Sequence, residues 1–193
     1  ASLVGVTSLI FLAKGNPFGN VLMIAFSILY TVISYTFSYY GEMITYMGMT
    51  APMSLFALVS WLKNPYGNKK SQVKISKLSK NGLLIGVLLT VVVTVAFYFI
   101  LKLFNTANIV PSTISVATSF FAAYLTFKRS PFYALAYASN DVVLIVLWVL
   151  ATMENKSYFS VLICFAVFLV NDLYGFINWR KMEQKQKYSL SLP

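Results

Sequence analysis

Along this chain the hydrophobic positions neither alternate with period two nor keep to a single helical stripe. They come in long runs separated by short polar stretches. The pattern predicts seven apolar segments, at about 1–13, 18–38, 43–62, 82–104, 112–127, 132–152 and 158–179. A helix needs about 20 mostly apolar residues to cross the hydrocarbon core of a bilayer. Gly82 to Leu101 is the clearest such run and holds no charged residue, whereas the first segment is short. Val, Thr and Phe are frequent here and favour strands in water. Inside lipid each segment must satisfy its own backbone hydrogen bonds, so helix is the expectation. No basic stretch precedes the first segment and no cleavage site follows it, which argues against a signal peptide.

Composition turns this pattern into a class. Of 193 residues, 59% are hydrophobic and only 10% charged, and the mean hydropathy is +0.74. A soluble domain carries roughly 25% charged residues. The chain therefore reads as an all-α integral membrane protein with seven transmembrane helices. A soluble enzyme, a disordered tail and a nucleic-acid-binding module are excluded. There is no histidine, and Cys164 is the one cysteine. An intrachain disulfide, a Cys/His metal site and a histidine-dependent triad are thus ruled out, and no cofactor is expected.

Net charge is +10, and its distribution tests the count of spans. With seven crossings, Lys14, Lys63, Lys69, Lys70, Lys74, Lys77, Lys80, Lys128, Arg129, Arg180, Lys181, Lys185 and Lys187 share one face, thirteen of the 15 basic residues. The other face has only Lys102 and Lys156, with Glu42 and Glu154. Cytoplasmic loops collect Lys and Arg, so the N-terminus is expected outside and the C-terminus in the cytoplasm. The Lys-rich loop is then a solvated inner loop, with contact to anionic membrane lipid as the alternative.

Two short matches suggest an internal repeat. Lys14-Gly15-Asn16-Pro17-Phe18 is similar to Lys128-Arg129-Ser130-Pro131-Phe132, at an offset of 128 − 14 = 114. Ser60-Trp61-Leu62-Lys63 is similar to Asn178-Trp179-Arg180-Lys181, at 179 − 61 = 118. The organisation that follows is a three-helix repeat over 1–62, a basic loop over 63–81, a linker helix over 82–104, a second three-helix repeat over 112–179 and a tail over 180–193. Three helices and a linker make an even number of crossings, so the repeats are parallel. Such internal symmetry is a mark of transporters.

Candidate chemistry lies in the last two segments. Asp141 and Asp172 stand at lipid depth, where an ionisable group costs at least about 2.5–3.5 kcal/mol, and such groups ordinarily face an internal cavity. At helical spacing Tyr137, Asn140, Asp141 and Trp148 share one stripe, and Asn171, Tyr174 and Asn178 share another. Asp172 and Trp179 lie seven apart beside the latter. Carboxamides, carboxylates and rings together suit a flat, polar, ring-bearing ligand, above all a cationic one. Trp61 and Trp179 fall at the basic ends of their helices, where interfacial anchoring is an equal explanation. Asn140 and Asn171 have helix–helix bonding as their alternative. In the first repeat Ser27 falls opposite Asp141, with Tyr30, Ser34 and Tyr35 following and no charge, so the polar groups are expected mainly from the second repeat. Pro52, midway along the third segment, removes one backbone hydrogen bond and predicts a kink.

Several of these pieces carry a resemblance. Tyr39-Tyr40-Gly41-Glu42, Ser60-Trp61, the sixth segment around Asp141 and Tyr174-Gly175-Phe176-Ile177-Asn178-Trp179 resemble the Pnu-type (PnuC-like) bacterial vitamin transporters, the nicotinamide riboside transporter family. The similarity covers nearly the whole chain. It implies a 3+1+3 parallel repeat in a SWEET-like fold, a homotrimer in the bacterial cell membrane, and facilitated diffusion of an unphosphorylated vitamin that a cytoplasmic kinase then traps. Where the family commonly shows tryptophans on the sixth helix, this chain has Tyr133 or Ala134, then Tyr137 before Asn140-Asp141. Relatives carry thiamine, riboflavin or deoxynucleosides instead. Two acids favour a cationic ring, so nicotinamide riboside leads, with thiamine or a deoxynucleoside as the alternatives. A scaffold or coupling subunit without cargo leaves the polar stripes unexplained. A lipid-modifying enzyme lacks the clustered acids it would need.

Overall fold

The computed structural model describes residues 1–36, 40–67, 69–106 and 108–190, without the side chains of Lys69, Lys70 and Leu190; Tyr39 and residues 191–193 fall outside it. Seven helices follow in order: α1 (Ser2–Ala13), α2 (Phe18–Thr36), α3 (Tyr40–Leu62), α4 (Lys80–Leu103), α5 (Ile109–Phe127), α6 (Tyr133–Glu154) and α7 (Phe159–Leu190). Six of them are long and apolar enough to cross a membrane, and α1, at 12 residues, is shorter. Six helices close a ring in which α1 packs on α2, α2 on α3, α3 on α5, α5 on α6, α6 on α7, and α7 back on α1. The linker α4 stands outside, against α5. Only Gly86 and Leu101 of α4 are buried, as expected of a helix turned to lipid.

The two similar turns fold alike. Gly15 ends α1 at φ 68° and Arg129 ends α5 at φ 58°. Asn16 N–H donates to Phe11 O and Ser130 N–H to Leu125 O, each at 3.0 Å. The side chains of Asn16 and Ser130 then accept from the amides of Phe18 and Phe132, and a proline, Pro17 or Pro131, shortly precedes the next helix in both turns. The ring has two junctions where its halves meet, and both are tied in one way. Trp61 Nε1 donates to Thr126 O at 2.8 Å, and Trp179 Nε1 to Leu12 O at 2.9 Å. Beside them Ser60 Oγ donates to Phe127 O and Asn178 Nδ2 to Ala13 O. The acceptors are offset by 126 − 12 = 114 and the donors by 179 − 61 = 118, the same offsets as in the sequence.

Three segments differ from the expectation. Pro52 does not simply kink α3. Residues Tyr46–Thr50 ahead of it form a π-helical turn, the wider coil that accommodates the missing proline N–H. The basic loop carries a small antiparallel hairpin, β1 (Pro65–Tyr66) and β2 (Lys69–Val73). The region expected as a tail instead continues α7 to Leu190. Polar residues beyond Trp179 read as solvated chain, yet Met182, Glu183 and Gln186 are buried beneath the loop.

Candidate functional site

The ring encloses three small cavities in sequence. The outermost from the basic end, about 40 Å³, is lined by Glu42, Thr45, Thr50, Thr106, Ser112, Ser115 and Asn140 among others. The central one, about 70 Å³, lies among Phe26, Tyr46, Tyr137, Asn140, Asp141, Phe165, Phe168 and Asp172. The innermost, about 10 Å³, reaches Asn20, Ser54, Thr126 and Tyr137. Tyr46, Thr50, Ser119, Asn140 and Leu144 border both the first and the second. Met23, Ala123 and Tyr137 border both the second and the third. The three therefore adjoin one another as one path inside the ring.

Helix periodicity places these groups. On α6, Tyr137, Asn140 and Asp141 fall on the buried stripe and all reach the central cavity. Asn140 Oδ1 accepts from Ser115 at 3.1 Å and from Thr118 at 2.8 Å, so the NH2 end is what it can offer a ligand. Asp141 and Asp172 are each 4% exposed and close enough to interact, and Asp141 Oδ2 is buried without a hydrogen-bond partner among the described residues. Two neighbouring carboxylates repel when both are ionised, and a cation seated beside them relieves the repulsion. Rings surround them: Phe26 and Tyr46 lie 5.8 Å apart edge-on, Phe165 and Phe168 5.6 Å, and Phe26 and Phe168 6.3 Å. The arrangement is an aromatic box with a paired acid in its wall.

Toward the basic end lies a packed aromatic cluster. Trp61 and Trp179 are 0% exposed, with ring centroids 5.3 Å apart, and Tyr133 packs on Trp179 at 4.7 Å. Their indole N–H groups are committed to the junctions described above.

Of the ten residues singled out in the sequence, the central cavity thus brings together Tyr137, Asn140, Asp141 and Asp172, while Trp61 and Trp179 pack on each other and border none of the three cavities. Trp148 is stacked on Phe165 between α6 and α7 and borders none of the three cavities. Asn178 is engaged with Ala13 O. Asn171 borders none of the three cavities, although its Nδ2 is buried without a partner among the described residues. Tyr174 is 52% exposed on the outer surface of α7, because its stripe turns away from that of Asp172.

The first half contributes more than its sequence suggested. Glu42, counted above with the outer loops, lies inside the span Tyr40–Leu62 and borders the first cavity. Glu42, Thr45, Tyr46, Met49 and Thr50 fall at i, i+3, i+4, i+7 and i+8, a polar stripe that was available as a signal. Phe165 and Phe168 carried no signal, since phenylalanine on an apolar helix looks the same toward lipid as toward a cavity.

Comparison with known proteins bears on the family and the fold. The profile of a family described as "Nicotinamide mononucleotide transporter" matches residues 1–181. A relative from Neisseria mucosa, named nicotinamide riboside transporter PnuC, is 26% identical over 190 residues, which is 96% of this chain and 72% of the relative. A crystal structure of the vitamin B3 transporter PnuC superposes with a TM-score of 0.80 at 25% identity, over 96% of this chain and 80% of that one.

Proposed function

We propose, from the premise that this chain belongs to the nicotinamide mononucleotide transporter family, that it is a multi-pass membrane transporter of nicotinamide riboside. The charge of the cavities carries the choice of cargo. Glu42, Asp141 and Asp172 border them, and among the described residues no lysine or arginine does. A riboside with a cationic nicotinamide ring gains from carboxylates and from aromatic faces. A mononucleotide adds a phosphate that the same carboxylates repel, and nothing in the cavities neutralises it. Asp141 and Asp172 face the ring, the Asn140 NH2 and Tyr137 meet its polar groups, and Trp61 and Trp179 close the inner end. In this state Trp148, Asn171, Tyr174 and Asn178 support or flank the site and do not line it.

The mechanism we favour is alternating access between two parallel three-helix repeats joined by α4, in the SWEET-like 3+1+3 manner. The matched tryptophan bonds at the two junctions support that symmetry. Pockets that hold small molecules measure about 300–1,000 Å³, and the central cavity is near 70 Å³. Loading therefore requires the halves to part at one end. The remaining elements of the reading are a homotrimer in the bacterial cell membrane, an outer N-terminus, flux down the cargo gradient, and trapping by a cytoplasmic kinase. Uptake of labelled nicotinamide riboside into liposomes containing the purified protein tests the central claim. Saturable uptake with no imposed ion gradient is expected, with nicotinamide mononucleotide a poor competitor. Uptake that prefers the mononucleotide would overturn the cargo, and uptake that collapses with the proton gradient would overturn passive flux.

A further inference from the structure

A large concavity lies outside the ring. At the basic end, a groove of about 620 Å³ opens between the hairpin and the extension of α7. Its walls include Lys74, Lys77, Lys185 and Lys187 and one acid, Glu183, with Tyr66 and Ile75 on the apolar side. The whole chain has five acids. Glu42, Asp141 and Asp172 are inside the ring and Glu154 ends α6 at the opposite end, so Glu183 is the one acid at this end. Arg180 at 2.7 Å and Lys187 at 2.5 Å already bracket Glu183. Lys74, Lys77 and Lys185 therefore have no acidic partner among the described residues. These exposed ammonium groups are available to an anion from solution.

The groove is built and not merely charged. Gln186 is 6% exposed, donates to Val73 O at 3.0 Å and accepts from Ile75 N at 2.9 Å, which fixes the loop on α7. The same loop reaches both halves of the ring: Val73 N–H donates to Gly15 O at 2.9 Å, and Ser76 N–H to Arg129 O at 3.0 Å. The groove thus exists only while the loop bridges the two halves and rests on α7.

We infer that this groove binds a small soluble phosphate ester, and that its occupancy favours the closed basic end. Several ammonium groups around one concavity suit a multiply charged phosphate, for which lysine serves as a point charge. The volume lies in the range of small-molecule sites. Tyr66 and Ile75 offer an apolar side to the organic part. Lys185 and Lys187 lie six and eight residues past Trp179, roughly 9–12 Å further along the helix axis. That is beyond a lipid headgroup layer of about 5–7 Å, which favours a soluble anion over a lipid. A ligand that binds one arrangement of the loop shifts the population toward it.

The test uses the full chain in phosphatidylcholine nanodiscs, with inorganic pyrophosphate as the probe. Calorimetry is expected to show saturable binding, weakened at least tenfold in K185Q/K187Q and changed less than twofold in K63Q/K181Q, whose lysines lie outside the groove. Amide exchange at Val73–Ser76 is expected to slow when the probe is bound. No saturable binding, or equal loss in both double variants, overturns the proposal. A second arm replaces pyrophosphate with phosphatidylglycerol in the disc. If that lipid slows exchange through Lys185 and Lys187 and pyrophosphate does not, the groove is a headgroup site and the soluble ligand is wrong.

Discussion

A single carboxylate or indole in this chain has a role set by what it faces. Asp141 faces a box of rings and a second acid, so replacing it with Asn keeps the shape and removes the charge. A charge-assisted contact is worth about 1.5–3 kcal/mol, and Asp141→Asn is expected to weaken nicotinamide riboside binding roughly tenfold or more. Calorimetry checks this, and an unchanged affinity would mean that the carboxylate does not meet the cation. Trp179→Phe keeps the ring packing but leaves Leu12 O without its indole donor. Trp61→Phe does the same to Thr126 O. Leu12 O keeps its bond from Gly15 N–H at 2.9 Å, and Thr126 O keeps that from Arg129 N–H at 2.9 Å, so each variant loses one net hydrogen bond, about 0.5–1.5 kcal/mol. Similar losses of thermal stability in detergent are expected for the two variants, and a large loss in only one would argue against equivalent junctions. That Asp141 and Asp172 face an interior was legible in sequence, because charge at lipid depth is costly wherever it appears; that they lie beside each other was not. The outward turn of Tyr174 was not, because tyrosine is stable both at a lipid-facing surface and in a polar cavity.

At the scale of the helix, close approach decides which small residues are required. A Cβ on Gly19 would lie 2.7 Å from the backbone nitrogen of Leu12, so α1 and α2 must part to admit one. Overpacking of this kind costs about 1–3 kcal/mol, and Gly19→Ala is expected to lower the unfolding temperature measurably. A Cβ on Gly48 has nothing nearer than 3.9 Å, so Gly48→Ala should be close to neutral for stability. Equal melting of the two variants would contradict the packing described. The π-turn before Pro52 is a different case. Tyr46 and Thr50, at its two ends, border both upper cavities. Proline was legible as a break in the hydrogen-bond ladder. Its resolution as a wider turn rather than a sharp kink depended on neighbouring helices that hold both ends of α3.

Across the whole molecule the two halves meet at two junctions, and transport by rocking requires at least one of them to open. A short bifunctional thiol cross-link between Ser60→Cys and Phe127→Cys, in a Cys164→Ser background, should stop uptake into liposomes. A reducible linker should restore uptake when cleaved. The basis is the 2.8 Å bond from Ser60 Oγ to Phe127 O, which sets those positions side by side. Full transport in the cross-linked protein would exclude opening at that junction. The closing of the ring was only half legible. The repeated Lys-x-x-Pro-Phe and Trp-x-Lys patterns foretold equivalent turns, but not that each tryptophan would reach across to the opposite half.

Hydropathy and charge by themselves determined that the chain crosses a membrane several times, that its basic segments gather at one end, and that its deep acids need an interior. Those properties follow from transfer energies, which depend on residue type and run length and not on neighbours. The tertiary structure decided which faces look inward. It moved Glu42 from an apparent loop into the path, set Phe26, Phe165 and Phe168 around the paired acids, turned Tyr174 outward, and converted a polar tail into a helix supporting the hairpin. Each of these depends on contacts between residues far apart in the chain, which no local pattern encodes.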